Sequence, residues 1–182
     1  MRCFLALNLP SELRVKIAII QREIKSNNIG MKATWVRPDL THINLVFLDE
    51  LSSNEVNILK AKLPALKGKY GIIKLSLSGI DAFPNIKNPH IIFLGVKEKF
   101  DNKLILLEAE LKKIVSDLKI TIPDRRFTPH VTLSRIKKQA GQINLLDAKT
   151  LNIFFEVSSF HLMRSVLSPA GPAYKIIETY KL

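Results

Sequence analysis

Two short stretches of this sequence hold the residue types that proton-transfer chemistry needs. They are Thr41-His42-Ile43-Asn44-Leu45 and Pro129-His130-Val131-Thr132-Leu133. In each, a histidine precedes a short polar residue by two positions. Both stretches read as strands, whose side chains alternate between faces. His42 and Asn44 then share one face, as do His130 and Thr132. Ile43, Leu45, Val131 and Leu133 face the other way. Each strand presents an imidazole and a hydrogen-bonding group about 6–7 Å apart. A phosphate diester suits such a pair of strands. Its hydrolysis needs a base to take a proton from water and an acid to protonate the departing oxygen. Two imidazoles titrating near neutrality do both, one neutral and one charged. The Asn44 amide and the Thr132 hydroxyl are suited to the non-bridging phosphate oxygens, where charge develops. His90 and His161 lack such a partner and read as structural. No group of carboxylates and histidines has metal-ligand spacing, so no metal and no cofactor is expected.

The elements that must position these residues alternate along the chain. Arg2–Leu9 is a buried strand by its apolar run. A helix follows, with Ser11 as its N-cap and Leu13, Ile17, Ile20 and Ile24 at helical spacing. Ala33–Val36 and His42–Leu48 read as strands. Ser52, Ser53 and Glu55 open a second helix that Pro64 ends or kinks. Ile72–Ile80 alternates like a half-buried strand. The order then recurs: strand His90–Val96, helix Phe100–Lys119, strand Phe127–Ile136, a short helix around Leu145–Thr150, a long β-rich run Leu151–Met163, and a last strand Ala173–Leu182 after a turn at Pro169–Pro172. His42 and His130 stand 88 residues apart, and the same offset aligns the first strands, the first helices and the following strands. The expectation is an α+β chain of two duplicated β-α-β-α-β halves, packed as lobes of one unit over residues 1–182.

Composition narrows the class of partner. The 182 residues carry 28 Lys+Arg against 16 Asp+Glu, a formal net charge of +12. That balance favours a polyanionic partner such as RNA, DNA or nucleotides. With 47% hydrophobic residues the chain folds rather than staying disordered. One cysteine, Cys3, excludes a disulfide framework. No apolar run approaches the ~18 residues of a membrane span. A cytoplasmic protein with no membrane partner is expected.

The words around the two tetrads resemble those of the RNA 2′,3′-cyclic phosphodiesterases, also called the 2′-5′ RNA ligase family, within the two-histidine phosphoesterase superfamily. HINL and HVTL resemble its paired HxTx motifs. Arg2-Cys3-Phe4-Leu5-Ala6-Leu7 resembles its opening strand, and Trp35-Val36-Arg37-Pro38-Asp39-Leu40-Thr41-His42, followed by Phe47-Leu48, its first motif. Gly79-Ile80-Asp81-Ala82-Phe83-Pro84 is similar to its G-x-x-x-F-P turn. Arg125-Arg126-Phe127-Thr128-Pro129-His130-Val131-Thr132-Leu133-Ser134-Arg135 resembles its second signature, and Arg164-Ser165 with Gly171-Pro172-Ala173-Tyr174 its closing hairpin. The departure is Asn44, where the family usually has Thr or Ser.

The resemblance implies a bilobal α+β fold with pseudo-twofold symmetry, antiparallel sheets lining a central cleft and helices outside. It implies metal-independent opening of a terminal 2′,3′-cyclic phosphate on RNA to a 2′-phosphomonoester. His42 would be the proton donor and His130 the proton acceptor, with Asn44 and Thr132 binding phosphate. The substrate would be an RNA end, such as a tRNA fragment, or a nucleotide, and the protein a monomer. The alternatives are 2′-5′ ligation of cyclic-phosphate to 5′-hydroxyl ends, or an RNA-end-binding protein weakened by Asn44. Arg125, Arg126 and Arg135 flank the second motif as candidate RNA contacts, since a guanidinium grips two phosphate oxygens at once. Strict alternation points Arg135 away from His130, so its contact requires a twist or bulge. Phe127 is a candidate to stack on the terminal base. Trp35 reads as a core residue.

Overall fold

The computed structural model describes residues 1–137, 143–144, 151–168 and 171–182. Strand β1 (Arg2–Asn8) leads into helix α1 (Ser11–Ser26), then β2 (Ala33–Trp35), β3 (His42–Glu50), α2 (Ser53–Lys62) and β4 (Ile73–Phe83). The second passage runs β5 (Ile91–Glu98), α3 (Lys103–Asp117), β6 (His130–Ile136), β7 (Ile153–Val157), β8 (Ser159–Ser168) and β9 (Gly171–Lys181). The expected helix at 145–150 lies outside the described residues. The long late β run breaks at Ser158 into β7 and β8.

Local chemistry explains the helix boundaries. Pro10, not Ser11, takes the N-cap position of α1, and no side chain caps that end. Ser52 caps α2 through a reciprocal box: its hydroxyl accepts from the Glu55 N–H, and the Glu55 carboxylate accepts from the Ser52 N–H. Such a cap is worth about 1 kcal/mol. Helix α3 starts three residues later than the periodicity predicts. Asp101 and Asn102 adopt positive φ ahead of it. The Glu98 carboxylate then takes the first turn's N–H groups, accepting from Lys103 and Leu104 at 2.8 Å each. A carboxylate at a helix N-terminus also suits the helix dipole.

Among the described residues, all strands join one antiparallel nine-stranded sheet, ordered β7-β4-β5-β6-β3-β1-β8-β9, with β2 against β6. The sheet curls, and its two lobes meet where β3 and β6 pair at Ile43 and Val131 alone. Outward from that joint the order is β5, β4, β7 on one side and β1, β8, β9 on the other. The third strand of each lobe therefore comes from the opposite half of the chain: β4 lies beside β5, and β8 beside β1. The spacing also changes there, because Phe4 faces Met163 while Ile92 faces Ala82, 81 residues before Met163. One sheet face is apolar and continuous with the helices. It includes Leu5, Leu7, Ile43, Leu75, Leu94, Val131 and Phe160 from strands and Ile17, Ile24, Leu59, Leu107 and Leu111 from helices. Burying these aliphatic groups is the main stabilising term. The other face is concave and carries the histidines.

Candidate functional site

His42 and His130 sit at matching places in the two lobes. His42 is paired with Asn8 across β1–β3, and His130 with Gly95 across β5–β6. The single Ile43–Val131 pair turns His42, Asn44, His130 and Thr132 onto the face opposite the core. All four line one cavity of about 440 Å³, with Arg2, Phe4, Phe47, Arg135 and Tyr174 among its other walls.

Each imidazole is held in the same way. His42 Nδ1 lies 2.8 Å from the Leu40 carbonyl, and His130 Nδ1 lies 2.7 Å from the Thr128 carbonyl. A carbonyl only accepts, so Nδ1 carries the proton in both rings. That leaves Nε2 as the proton-exchanging atom of each. Aromatic rings fix the imidazole planes. His42 packs 5.0 Å from Phe4 and 5.2 Å from Tyr174, between ring centroids. His130 packs 5.2 Å from both Phe83 and Phe93.

Burial depresses both histidine pKa values below the ordinary imidazole value. For His42 the carbonyl of Leu40 opposes that shift, while the charges of His130 and Arg14 add to it. For His130 the Thr128 carbonyl opposes it and the Arg135 charge adds to it. A proton on His130 thus adds to what disfavours a proton on His42.

Both histidine strands contain a bulge just after the polar residue. In β3 the register slips at Leu45, between pairs Leu5–Val46 and Ala6–Asn44. In β6 it slips at Leu133, between pairs Ile92–Ser134 and Phe93–Thr132. Leu45 and Val46 are buried side by side, as are Leu133 and Ser134. The extra residue reverses the alternation beyond it. Arg135 thereby joins the face of His130, and Phe47 that of His42, so both line the cavity. Gln21 of α1, only 3% exposed, secures the second bulge. Its amide donates to the Leu133 carbonyl at 3.0 Å and to the Val36 carbonyl at 2.8 Å.

A second cavity of about 770 Å³ shares Asn44, Phe47, His130 and Arg135 with the first. Arg125, Arg126 and Phe127 line it, so the sequence-predicted candidates fall around connected spaces. Phe127 also packs partly on the core. The loop carrying these residues is tied to α3, where Lys112 donates to the Arg125 carbonyl at 3.1 Å and pairs with buried Glu108 at 2.7 Å.

Two histidines depart from or extend the sequence reading. His90 is exposed, lines the second cavity and precedes β5 rather than beginning it, and its backbone ties into the sheet, the N–H donating to the Phe83 carbonyl at 2.7 Å and the carbonyl accepting from the Ile136 N–H at 2.9 Å. His161 is buried, with Nδ1 3.0 Å from the Thr179 hydroxyl. Trp35 packs partly against the core, with the Lys25 ammonium 4.8 Å from its ring centre. Sequence reasoning did not single out Tyr174, Phe83 and Phe93 as histidine neighbours, because these contacts join strands distant in sequence. Among the described residues, no three His, Cys, Asp or Glu side chains converge as a metal site. No helix among them is long and apolar enough to cross a membrane.

Known proteins share this sequence pattern and fold. An RNA 2',3'-cyclic phosphodiesterase of Archaeoglobus fulgidus is 29% identical over 190 residues, covering 100% of both chains. One of Thermus thermophilus is 30% identical over 185 residues, covering 100% of this chain and 90% of its own. The crystal structure of TT0787 of Thermus thermophilus superposes with a TM-score of 0.84 at 29% identity, covering 100% of this chain and 98% of that one. E. coli LigT complexed with 3'-AMP shares the fold, with a TM-score of 0.83 at 22% identity over 100% and 97% of the two chains. The family model described as the AKAP7 2'5' RNA ligase-like domain matches residues 3–182, and the chain belongs to that family.

Proposed function

We propose that this chain opens terminal 2′,3′-cyclic phosphates on RNA to 2′-phosphomonoesters, as a monomeric cytoplasmic enzyme working through two histidines without a metal. The observation that carries this reading is the matched pair of imidazoles. Each donates its Nδ1–H to a backbone carbonyl, and both line one cavity with Asn44 and Thr132. The relatives are RNA 2',3'-cyclic phosphodiesterases, and they and the net charge of +12 support the substrate class.

In the proposed reaction, neutral His130 takes a proton from water through Nε2. The oxygen so activated attacks phosphorus as the bond to the 3′ oxygen breaks. Protonated His42 gives its Nε2 proton to that leaving oxygen. The phosphate stays on the 2′ oxygen, and proton exchange with solvent resets the pair. Asn44, Thr132 and Arg135 hold the non-bridging oxygens, where added negative charge is best stabilised by preorganised donors. Arg125, Arg126 and Phe127 hold the RNA beside the second cavity through phosphate contacts and stacking.

The test is a short RNA with a 2′,3′-cyclic end, incubated with EDTA, with the product phosphate position identified. A 2′-phosphate product at an undiminished rate is expected. An exclusively 3′-phosphate product, or activity abolished by EDTA, would reject the mechanism.

A specific pH dependence follows. The acid must keep its proton and the base must lack one, and both pKa values lie below the ordinary 6.5. Protonated His42 therefore becomes scarce as pH rises, and neutral His130 becomes scarce as pH falls. A bell-shaped kcat/KM profile with its maximum on the acid side of 6.5 is expected, since kcat/KM reports the free enzyme. A profile still rising through pH about 8 would contradict the assigned pair.

Ligation is a second reading that the larger cavity favours. Its volume of about 770 Å³ beside His130 far exceeds the space one water needs. A 5′-hydroxyl RNA end admitted there would replace water as nucleophile and form a 2′-5′ bond. Adding 5′-hydroxyl RNA to the same assay separates the two outcomes by product length.

A further inference from the structure

We infer that the concave face carries a second RNA-binding surface outside both cavities, a platform of Lys97, Lys99, Phe100 and Phe154 that stacks unpaired bases of the strand being processed. This rests on the reading of the site as an RNA-end enzyme and extends its substrate from an end to a length of strand.

Phe100 and Phe154 are 61% and 62% exposed. Lys99 Nζ lies 5.2 Å from one ring centre and 5.5 Å from the other, so a single ammonium bridges the two rings. Scattered surface aromatics need no explanation. A bridged pair on the same sheet face as the histidines is a different observation.

The shared face follows from register. Gly95 pairs with His130, and two residues on, Lys97 pairs with Ser76, which pairs with Phe154. The Lys99 N–H donates to the Lys74 carbonyl at 3.2 Å, extending the ladder by one more step. Between His130 and the platform the sheet carries small residues: Gly95, Gly79, Ser78 and Ser76. Gly95 is closely covered, since a Cβ there would lie 2.5 Å from the Ser78 hydroxyl oxygen. Phe154 is three strands across and one two-residue step along from His130, about 16 Å away.

Charge on the platform is uncompensated. Among the described residues no ion pair engages Lys97 or Lys99, whereas Lys74 pairs with Glu156 at 3.7 Å. The neighbouring Glu98 is committed to the α3 N–H groups. Ammonium groups outside any ion pair, beside exposed aromatic rings, suit single-stranded RNA, whose phosphates and unstacked bases need both.

The experiment compares a dinucleotide and an octanucleotide, each ending in a 2′,3′-cyclic phosphate. The proteins are the wild type, Phe100→Ala/Phe154→Ala, and Lys97→Glu/Lys99→Glu. Each double variant is expected to raise KM for the octanucleotide about tenfold, with dinucleotide kinetics unchanged. Fluorescence anisotropy with a 3′-hydroxyl octanucleotide measures the same loss without turnover. Unchanged octanucleotide KM and anisotropy would overturn the platform. So would equal losses on both substrates, or equal binding of a blunt duplex of the same length. A wild type that binds the octanucleotide through the platform but hydrolyses neither substrate would reject the reading of the site instead.

Discussion

Replacing His42 or His130 by alanine is expected to lower kcat for cyclic-phosphate hydrolysis by about 10²–10⁴-fold, the usual contribution of a positioned acid or base. The two losses should not multiply in the double variant, because acid and base act in one concerted exchange. Their cage contacts make the fold a necessary control. His42 touches Phe4 and Tyr174, and His130 touches Phe83 and Phe93. Glutamine variants keep more of the side-chain volume and should show the same loss at an unchanged melting temperature. Single-turnover rates of hydrolysis, measured beside thermal melts, check this. Full activity in both alanine variants would remove the histidines from the mechanism.

The second large effect is expected at the two phosphate-facing polar residues. Thr132→Val keeps the shape of the side chain and removes its hydroxyl. A loss of about 10²-fold in kcat is expected, comparable to deleting one oxyanion donor. Asn44→Ala should cost a similar factor if its amide serves the same purpose. Among the described residues the Asn44 side-chain oxygen is buried and has no hydrogen-bond partner. Asn44→Thr discriminates between readings. A rate within a few-fold of the parent fits two equivalent donors. A gain of about 10²-fold would mean that this chain binds RNA ends and turns them over poorly. Rapid-quench kinetics with titrated binding of the cyclic-phosphate RNA separates these outcomes.

Much of this arrangement was legible in the residues. The period-two pattern of His42–Leu45 and His130–Leu133 placed four polar groups on the cleft face, because strand alternation is purely local. Helices α1 and α3 were likewise legible from Leu13, Ile17, Ile20 and Ile24, and from Leu104, Leu107 and Leu111. What was not legible depends on distant pairing. The exchange of β4 and β8 between lobes leaves no mark in any one strand. The position of Arg135 was legible only as a condition, that a bulge must intervene, because register is fixed by the partner strand β5. Phe100 looked like part of a helix by its period. The carboxylate of Glu98, an earlier strand residue, starts that helix three residues later. Tyr174 reaches His42 from the far end of the chain, in β9, through a ladder that only the folded sheet reveals.

The bulges at Leu45 and Leu133 decide which later side chains reach the cleft. A change of residue type at Leu133 alters packing under the sheet. Straightening the strand with every residue kept would alter parity, sending the Arg135 guanidinium toward the aliphatic core and bringing Ser134 to the cleft. Burying an unpaired cation costs far more than a lost methyl group. The same count of residues separates Asn44 from Phe47. One backbone irregularity, present twice, thus delivers an aromatic ring on one side and a cation on the other. The chemical difference between the two sides of the cleft resides in which side chain occupies the position after the slip, while the proton-carrying groups stay alike.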